Sequence, residues 1–387
     1  MNVALSTTVI QRGKTGIAQY VFALLRALLP HAGDHRFTLF VLEEDRPLLD
    51  FAADAMMLVP VEEKYRPAVK NIWWHQTVLP GLLRERQIDV LHVPSYRRML
   101  WPRPCALVAT IHDLAQFHVA GKYDWARMFY GRVVARQLAQ RQDAIIADSE
   151  STARDIERFF GIPVARQHVI LLGIDHDRFQ PGDRAAARQQ AAERWQLAHP
   201  FFLYVSRLEH PAKNHVRLIE AFNQFKTDTN SDWQLVLVGG DWRGAETIHA
   251  AAMQSPFAGD IRFLGFINDA TLPALYRAAD AMVYPSLFEG FGFPPLEAMA
   301  CGCPVISSER GSLAEVVADA ADIVDPLNIS AIAAALRRVA TDAGHRDRLR
   351  GAGFRNVQRF NWQRHAETVL GVYEAVVARR KIDCGLC

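Results

Sequence analysis

Five cysteines in 387 residues are too few for a disulfide scaffold. Cys105, Cys301 and Cys303 sit in apolar surroundings and are expected as reduced, buried thiols. Cys384 and Cys387 form a C-x-x-C without a second pair or a nearby histidine cluster, so they read as a frayed chain end. No apolar run approaches the ~20 residues of a membrane span. Met1-Asn2-Val3-Ala4-Leu5 lacks the basic start of a signal peptide. The expectation is a cytoplasmic protein. There is no excess of either charge: 44 Lys and Arg face 42 Asp and Glu, a net of +2 that makes no whole-protein case for nucleic acid. Neither a G-x-G-x-x-G fingerprint nor a Walker A loop is present, which leaves dinucleotide and ATP sites unsupported.

What is present is alternation. Short, apolar, β-branched or aromatic runs occur at Asn2–Leu5, Phe37–Leu42, Asp89–Val93, Ala106–Ile111, Ala144–Ala147 and Val169–Leu171. A second series follows at Phe201–Val205, Gln234–Val238, Arg262–Leu264, Ala281–Tyr284, Val305–Ser307 and Asp322–Val324. Runs apolar on both faces are parallel strands covered by helices. Amphipathic stretches such as Gly16–Leu29, Trp125–Arg141 and Leu218–Phe225 lie between them. The class is therefore α/β, with two doubly wound Rossmann-like domains facing a central cleft. Phe179-Gln180-Pro181-Gly182-Asp183 is a turn cluster, so the boundary is placed at 180: domain 1–180, then domain 181–361.

Ligands bind beyond the carboxyl ends of parallel strands, so residues just after strands are the candidates. Glu289 and Glu297 stand eight positions apart in "FEGFGFPPLEAMACGCPV" (Phe288–Val305). Pro294-Pro295 suits a helix start, and Glu297 is placed in that first turn. Gly290 and Gly292 let backbone N–H groups approach a ligand, and a helix N-terminus suits a diphosphate. Both glutamates could instead be ordinary helix-start acids. Arg207 and Lys213 follow the strand Phe201–Val205 and offer charge for phosphate oxygens. His112 and Asp113 follow Ala106–Ile111, and a histidine there can bind sugar hydroxyls or move a proton. Gly16 opens a helix after the first strand. Finally, residues 64–103 carry Lys64, Arg66, Lys70, Arg84, Arg86, Arg97, Arg98 and Arg103 against only Glu85 and Asp89. Trp73, Trp74 and Trp101 interleave with them, as on a surface that meets anionic lipid.

Taken together and in order, these motifs resemble the retaining GT-B glycosyltransferases of family 4. The E-x7-E of Glu289 and Glu297 is the most specific mark. It is joined by "SRLEHPAKN" (Ser206–Asn214), "VGG" (Val238–Gly240), "IHDL" (Ile111–Leu114), "DAIIADSEST" (Asp143–Thr152) and "LGIDHDRF" (Leu172–Phe179). The resemblance implies that Arg207 and Lys213 hold the nucleotide diphosphate, that Glu297 binds the ribose and that Glu289 contacts the transferred sugar. It implies that the backbone of Gly290, Phe291, Gly292 and Phe293 faces sugar and phosphates, that His112 lines the sugar pocket and that Gly16 approaches phosphate and acceptor. It implies retention, no metal, no resident cofactor, and a last helix, 362–380, that returns to the first domain. Two positions depart from the family pattern: Thr15 precedes Gly16, and Leu172-Gly173 stands where Asn-Gly is usual.

The expected substrates are a nucleotide-sugar, first a GDP-sugar carrying mannose or a deoxyhexose, and a saccharide or lipid-linked acceptor of polysaccharide or lipopolysaccharide synthesis. The Trp-rich segment suggests a peripheral place on the inner face of the plasma membrane. The alternatives are a UDP-sugar transferase of the same fold, a GT-B epimerase or phosphorylase, an inactive nucleotide-sugar binder, and a nucleic-acid binder using residues 64–103.

Overall fold

The computed structural model describes residues 1–118, 125–268 and 270–383; the Cys384/Cys387 pair lies outside them. The chain forms two compact units, Met1–Gly173 with the chain from Asn361 onward, and Ile174–Phe360. The seam falls at Gly173–Ile174, ahead of the turn at Phe179–Asp183. Phe179 already belongs to the second unit, its ring 6.2 Å from that of Tyr276.

The first unit holds a seven-stranded parallel sheet in the order β3-β2-β1-β4-β5-β6-β7. Its strands are β1 (Asn2–Ser6), β2 (Arg36–Leu42), β3 (Met57–Val61), β4 (Val90–Val93), β5 (Ala106–Ile111), β6 (Ala144–Ala147) and β7 (Gln167–Val169). β4, β5 and β6 are buried at every position, as strands covered on both faces must be. β3 escaped the sequence reading because its run, Met57-Leu58-Val59-Pro60-Val61, contains a proline. Pro60 is tolerated because β3 is an edge strand, where one side of the backbone donates to no neighbour. β7 lies two residues earlier than expected, at Gln167–Val169 rather than Val169–Leu171. The helix Gly16–Leu28 starts where Thr15 Oγ1 accepts the N–H of Ala18 at 3.2 Å. The last helix, Trp362–Asp383, packs on Gly16–Leu28 and on β4 and β5.

The second unit repeats the plan with six parallel strands, β10-β9-β8-β11-β12-β13. They are β8 (Phe201–Val205), β9 (Gln234–Val238), β10 (Ile261–Gly265), β11 (Ala281–Tyr284), β12 (Val305–Ser308) and β13 (Ala321–Val324). In this sheet the strand order reverses between β8 and β11. That switch point leaves a crevice at the carboxyl ends, where a doubly wound sheet binds its ligands. Arg207 and Lys213 lie in the segment after β8, and Glu289 in the segment after β11. Cys105, Cys301 and Cys303 are free, buried thiols, as the sequence suggested.

Candidate active site

β11 ends at Tyr284, and the chain then loops to the helix Phe293–Ala300. Gly292 caps that helix at φ 110°, a conformation that strains any other residue. Pro294 and Pro295 fill its second and third positions. Glu297 therefore lies in the second turn, not the first. The two prolines also bring no N–H groups, so the donors available to an anion come from the loop backbone of Gly290, Phe291, Gly292 and Phe293. Phe291 turns its side chain inward, against Phe293 at 5.2 Å and Phe360 at 5.7 Å, so its backbone is the part left for a ligand.

Glu289 is the best-held carboxylate of the loop. Lys213 Nζ donates to its Oε1 at 2.6 Å, and Tyr284 OH donates to the same oxygen at 3.1 Å. Its backbone is clamped too: Ser312 N–H and Oγ–H reach the Glu289 carbonyl at 3.2 and 3.1 Å. Gly311, at φ 62°, makes this possible, since a Cβ there would stand 2.5 Å from the same carbonyl. Burial pushes the Glu289 carboxyl up, but the Lys213 ammonium and the hydrogen bonds around it outweigh burial and hold it below the usual carboxylate range.

Lys213 is fixed by its main chain. Tyr204 OH donates to the Lys213 carbonyl at 2.6 Å, and Lys213 N–H donates to the Glu209 carbonyl at 3.1 Å. The next residue, Asn214, takes the left-handed conformation and ties this loop to the carbonyls of Pro285 at 3.0 Å and Pro326 at 2.7 Å. Arg207 stands apart from the Lys213–Glu289 pair. Its side chain is 56% exposed, donates to Glu209 Oε2 at 3.2 Å and lies 4.9 Å from the centre of the Trp242 ring. Glu297 is held separately, accepting from the buried Tyr276 OH at 2.8 Å.

In the first unit, His112 stands directly beyond β5, its Nδ1 2.5 Å from Asp148 Oδ2. Tyr20 meets the ring edge-on at 4.6 Å. Gly16 opens its helix with nothing within 4 Å of where a Cβ would be, which leaves room for a ligand. The structure thus joins Lys213 to Glu289, while Arg207 and Glu297 keep other partners. Sequence reasoning missed Tyr276, Tyr284, Trp242 and Asp148. Of these only Asp148 carried a signal, as a residue directly after a strand.

Two readings change. The basic surplus counted along residues 64–103 is offset by acids from elsewhere. Arg66 pairs with Asp45 at 3.1 Å and Glu63 at 2.6 Å, Lys64 with Glu62 at 2.8 Å, and Arg103 with Asp143. Trp74 is buried in the core, whereas Trp73 and Trp101 are 54% and 48% exposed. The sequence reading, which counts no Asp-x-Asp pair, is wrong on this point: Asp175-His176-Asp177 is one, and it closes a turn in which Asp175 Oδ1 accepts the N–H of Arg178 at 3.0 Å. Among the described residues no three His, Cys, Asp or Glu side chains converge as a metal site, and no helix is long and apolar enough to cross a membrane.

Comparison with known proteins identifies the family. Residues 14–178 match the family described as Glycosyltransferase Family 4, and residues 186–355 match Glycosyl transferases group 1. The chain is 30% identical over 296 residues to the O-antigen chain mannosyltransferase B of Escherichia coli, covering 76% of each protein. It is 32% identical over 259 residues to a D-inositol 3-phosphate glycosyltransferase of Salinispora tropica, covering 63% of this chain and 53% of that one. In structure it is similar to the sucrose-phosphate synthase of Thermosynechococcus elongatus. The TM-score is 0.79 at 23% identity, over 98% of this chain and 100% of that one, a likeness of fold.

Proposed function

This chain belongs to the glycosyltransferases, with the family 4 and group 1 regions in tandem, and from that premise we propose that it moves a hexosyl group from a nucleotide-sugar to a saccharide acceptor with retention. Mannose from a GDP-sugar is the first reading, since a relative that covers three-quarters of the chain is named as an O-antigen mannosyltransferase. A UDP-sugar is the second, the alternative donor for a transferase of the same fold. The observation that carries the proposal is the Lys213–Glu289 pair at the switch point of the second sheet.

The chemistry follows from the parts. Arg207, Lys213 and the N–H groups of Gly290–Phe293 hold the diphosphate and take up the charge that grows on it as it leaves, without a metal ion. Glu297, fixed by Tyr276, accepts from the ribose hydroxyls. Glu289 accepts from a hydroxyl of the sugar being moved. The bond from anomeric carbon to phosphate oxygen breaks, and the acceptor oxygen bonds to that carbon on the same face. The acceptor's proton passes to the departing phosphate oxygen. The two glutamates are therefore unlike a glycosidase pair, in which one attacks or activates water and the other protonates. Lys213 Nζ donates to Glu289, so an arriving diphosphate must share it.

The test is a transfer assay with GDP-mannose, UDP-glucose and a mannosyl acceptor in EDTA, with the anomeric configuration of the product read by NMR. Transfer that persists in EDTA and gives the donor's own anomer is expected. An inverted product, or activity lost in EDTA and restored by a divalent ion, overturns the mechanism.

A peripheral membrane role rests on the exposed Trp73 and Trp101, the latter under the Arg141 guanidinium at 4.3 Å. Amphipathic rings beside cationic heads suit an anionic lipid surface. The protein is expected to float with vesicles containing anionic phospholipid, and Trp73→Ala with Trp101→Ala to weaken this. Equal flotation with neutral vesicles would remove the electrostatic part of the idea.

A further inference from the structure

The strand order of the first sheet also reverses, between β1 and β4, so this unit has a crevice of its own beyond the carboxyl ends of those two strands. Ser6 ends β1, and the turn Tyr96–Arg98 follows β4. The helix Ala68–Thr77 is stitched to the segment after β4: Gln76 Nε2 donates to the Met99 carbonyl at 2.9 Å, and the Trp101 N–H donates to Gln76 Oε1 at 2.8 Å. Asn71 and His75, one turn apart on that helix, carry a buried polar cluster to the end of β1. His75 Nδ1 lies 2.7 Å from the Asn71 carbonyl, and its Nε2 lies 2.8 Å from Ser6 Oγ. Burial pushes His75 down to about 3, so the ring is neutral. A carbonyl only accepts, so Nδ1 carries the proton and Ser6 Oγ–H donates to Nε2. This part of the cluster is satisfied and uncharged.

Arg98 is the charge beside it. Its Nε–H donates to Asn71 Oδ1 at 2.5 Å, and Nη1 donates to the Arg97 carbonyl at 3.2 Å. A guanidinium only donates, so the amide oxygen must be the atom that faces it, and Asn71 Nδ2 is thereby fixed as a donor. That Nδ2 is buried without a partner, on a residue 1% exposed. Oδ1 and Nδ2 belong to one amide, so the orphan donor stands next to the guanidinium. Of the cations counted along residues 64–103, Arg66, Lys64, Arg86 and Arg103 have acids beside them. Arg98 is half-buried, and among the described residues no carboxylate pairs with it. Burial weighs against its charge, and so does the like charge of Arg97; Tyr130, also close, is a phenol that burial keeps neutral. A cation drawn out of water without a countercharge is costly, and so is a buried donor without an acceptor. Here the two costs fall at one place.

We propose that Arg98 and Asn71 form an oxyanion subsite in the first unit, where the guanidinium and the Asn71 Nδ2–H groups together bind a phosphate or carboxylate carried by the saccharide acceptor. An anionic oxygen supplies the missing countercharge and the missing acceptor at once. The residues proposed above for the donor's diphosphate and ribose, Arg207, Lys213 and Glu297, all lie in the second unit, which leaves this crevice for the other substrate. Naming the acceptor as the carrier rests on the transferase reading; the affinity for an oxyanion does not. Asn71→Asp separates the subsite from a merely structural tie. It keeps the oxygen that accepts from Arg98, adds the countercharge, and puts an acceptor where the orphan donor stood. The fold should be at least as stable as the wild type, and the anion should be excluded.

The experiment titrates the full chain by calorimetry with mannose 1-phosphate, glucuronic acid and methyl α-mannoside, in the wild type and in Arg98→Gln, Asn71→Asp and Lys213→Met. The wild type should bind at least one of the two anionic sugars about tenfold or more tighter than the neutral one, the effect of hydrogen bonds to a charged group. That preference should vanish in Arg98→Gln and in Asn71→Asp and persist in Lys213→Met. Tighter binding of mannose 1-phosphate makes the group a phosphate, and tighter binding of glucuronic acid makes it a carboxylate. No preference for either anion overturns the proposal. So does a preference lost in Lys213→Met and kept in Arg98→Gln. Should Arg98→Gln fold poorly, Asn71→Asp carries the test, with thermal unfolding as the check on its fold. For turnover, kcat/KM in Asn71→Asp should fall about tenfold or more further with an anionic acceptor than with a neutral one. An equal loss with both would mean a merely structural pair and sink the idea. Transfer to no acceptor from any nucleotide-sugar would count against the transferase reading, with the calorimetric result still deciding the subsite.

Discussion

Glu289→Gln is expected to lower transfer by about 10²–10³-fold while nucleoside diphosphate binding is unchanged or tighter. In the proposed function the carboxylate serves the sugar, and it pairs with Lys213 Nζ 2.6 Å away. An uncharged glutamine keeps the shape, gives up the sugar contact and frees the ammonium for phosphate. Lys213→Met is expected to do the opposite. It removes a cation proposed for the phosphate and leaves Glu289 without its countercharge. Removing one partner of a fully buried ion pair costs roughly 3–5 kcal/mol. These side chains are 15% and 14% exposed, so a loss of about 2 kcal/mol is expected, discounted for the solvent that reaches them. The double variant, Lys213→Met with Glu289→Gln, should recover most of that stability and none of the activity. Denaturant unfolding of the four proteins, paired with calorimetric titration of GDP and UDP, reads both effects. A double variant as unstable as the sum of the singles would show the pair to be uncoupled. Weaker nucleotide binding by Glu289→Gln would move that carboxylate from the sugar to the nucleotide.

Gly239→Ala should be among the most damaging small substitutions in the chain. Gly239 follows β9 at φ 142°, where a side chain is strained by about 1–3 kcal/mol before any contact is counted. Its added Cβ would run into the Ser206 carbonyl, which is backbone and has no rotamer to escape into. Ser206 N–H is bonded to the Val238 carbonyl at 2.9 Å, and Gly239 N–H to that of Gly265 at 2.8 Å, so the strand ends are locked together on both sides. The chain that must give way leads straight into Arg207. A loss of about 3 kcal/mol or more is expected, with nucleotide affinity falling in whatever protein still folds. Gly240→Ala is the control, since nothing lies within 4 Å of its added Cβ. Thermal unfolding that barely moves for Gly239→Ala would contradict this account of the "VGG" turn.

How far the sequence could be read follows from which forces act locally. Strands buried on both faces announce themselves by composition, which is why β1, β5, β6, β8, β9 and β11 were legible. Pro60 hid β3, because a proline argues against a strand until its place at the edge is known. Glu289 and Glu297 could be singled out by spacing and by the family pattern. The side chains that hold them could not be found that way. Tyr276 sits 21 positions before Glu297, and Lys213 76 before Glu289, distances that only the crossovers of a parallel sheet make short. The position of Glu297 in its helix was misjudged by a turn, since Pro294 and Pro295 mark the region of a helix start but not its first residue. The charge of residues 64–103 was misjudged for a related reason. Counting along the chain leaves out Asp45, Glu62, Glu63 and Asp143, which folding brings alongside. Asp148 was visible as a residue after a strand, but its pairing with His112 needs the register of β5 on β6.

The measurement that bears most directly on the central claim is the thermal unfolding of the purified protein with millimolar GDP, UDP, ADP or dTDP, in EDTA throughout. A ligand that binds only the folded state stabilises it by about 2.7 kcal/mol at a hundred times its Kd. A clear rise in Tm with one diphosphate, GDP first, is the predicted result. That rise should be lost in Lys213→Met when each shift is taken relative to the variant's own ligand-free Tm. No shift with any of the four would contradict a nucleotide site built from Arg207, Lys213 and Glu297, and the transferase mechanism derived from it.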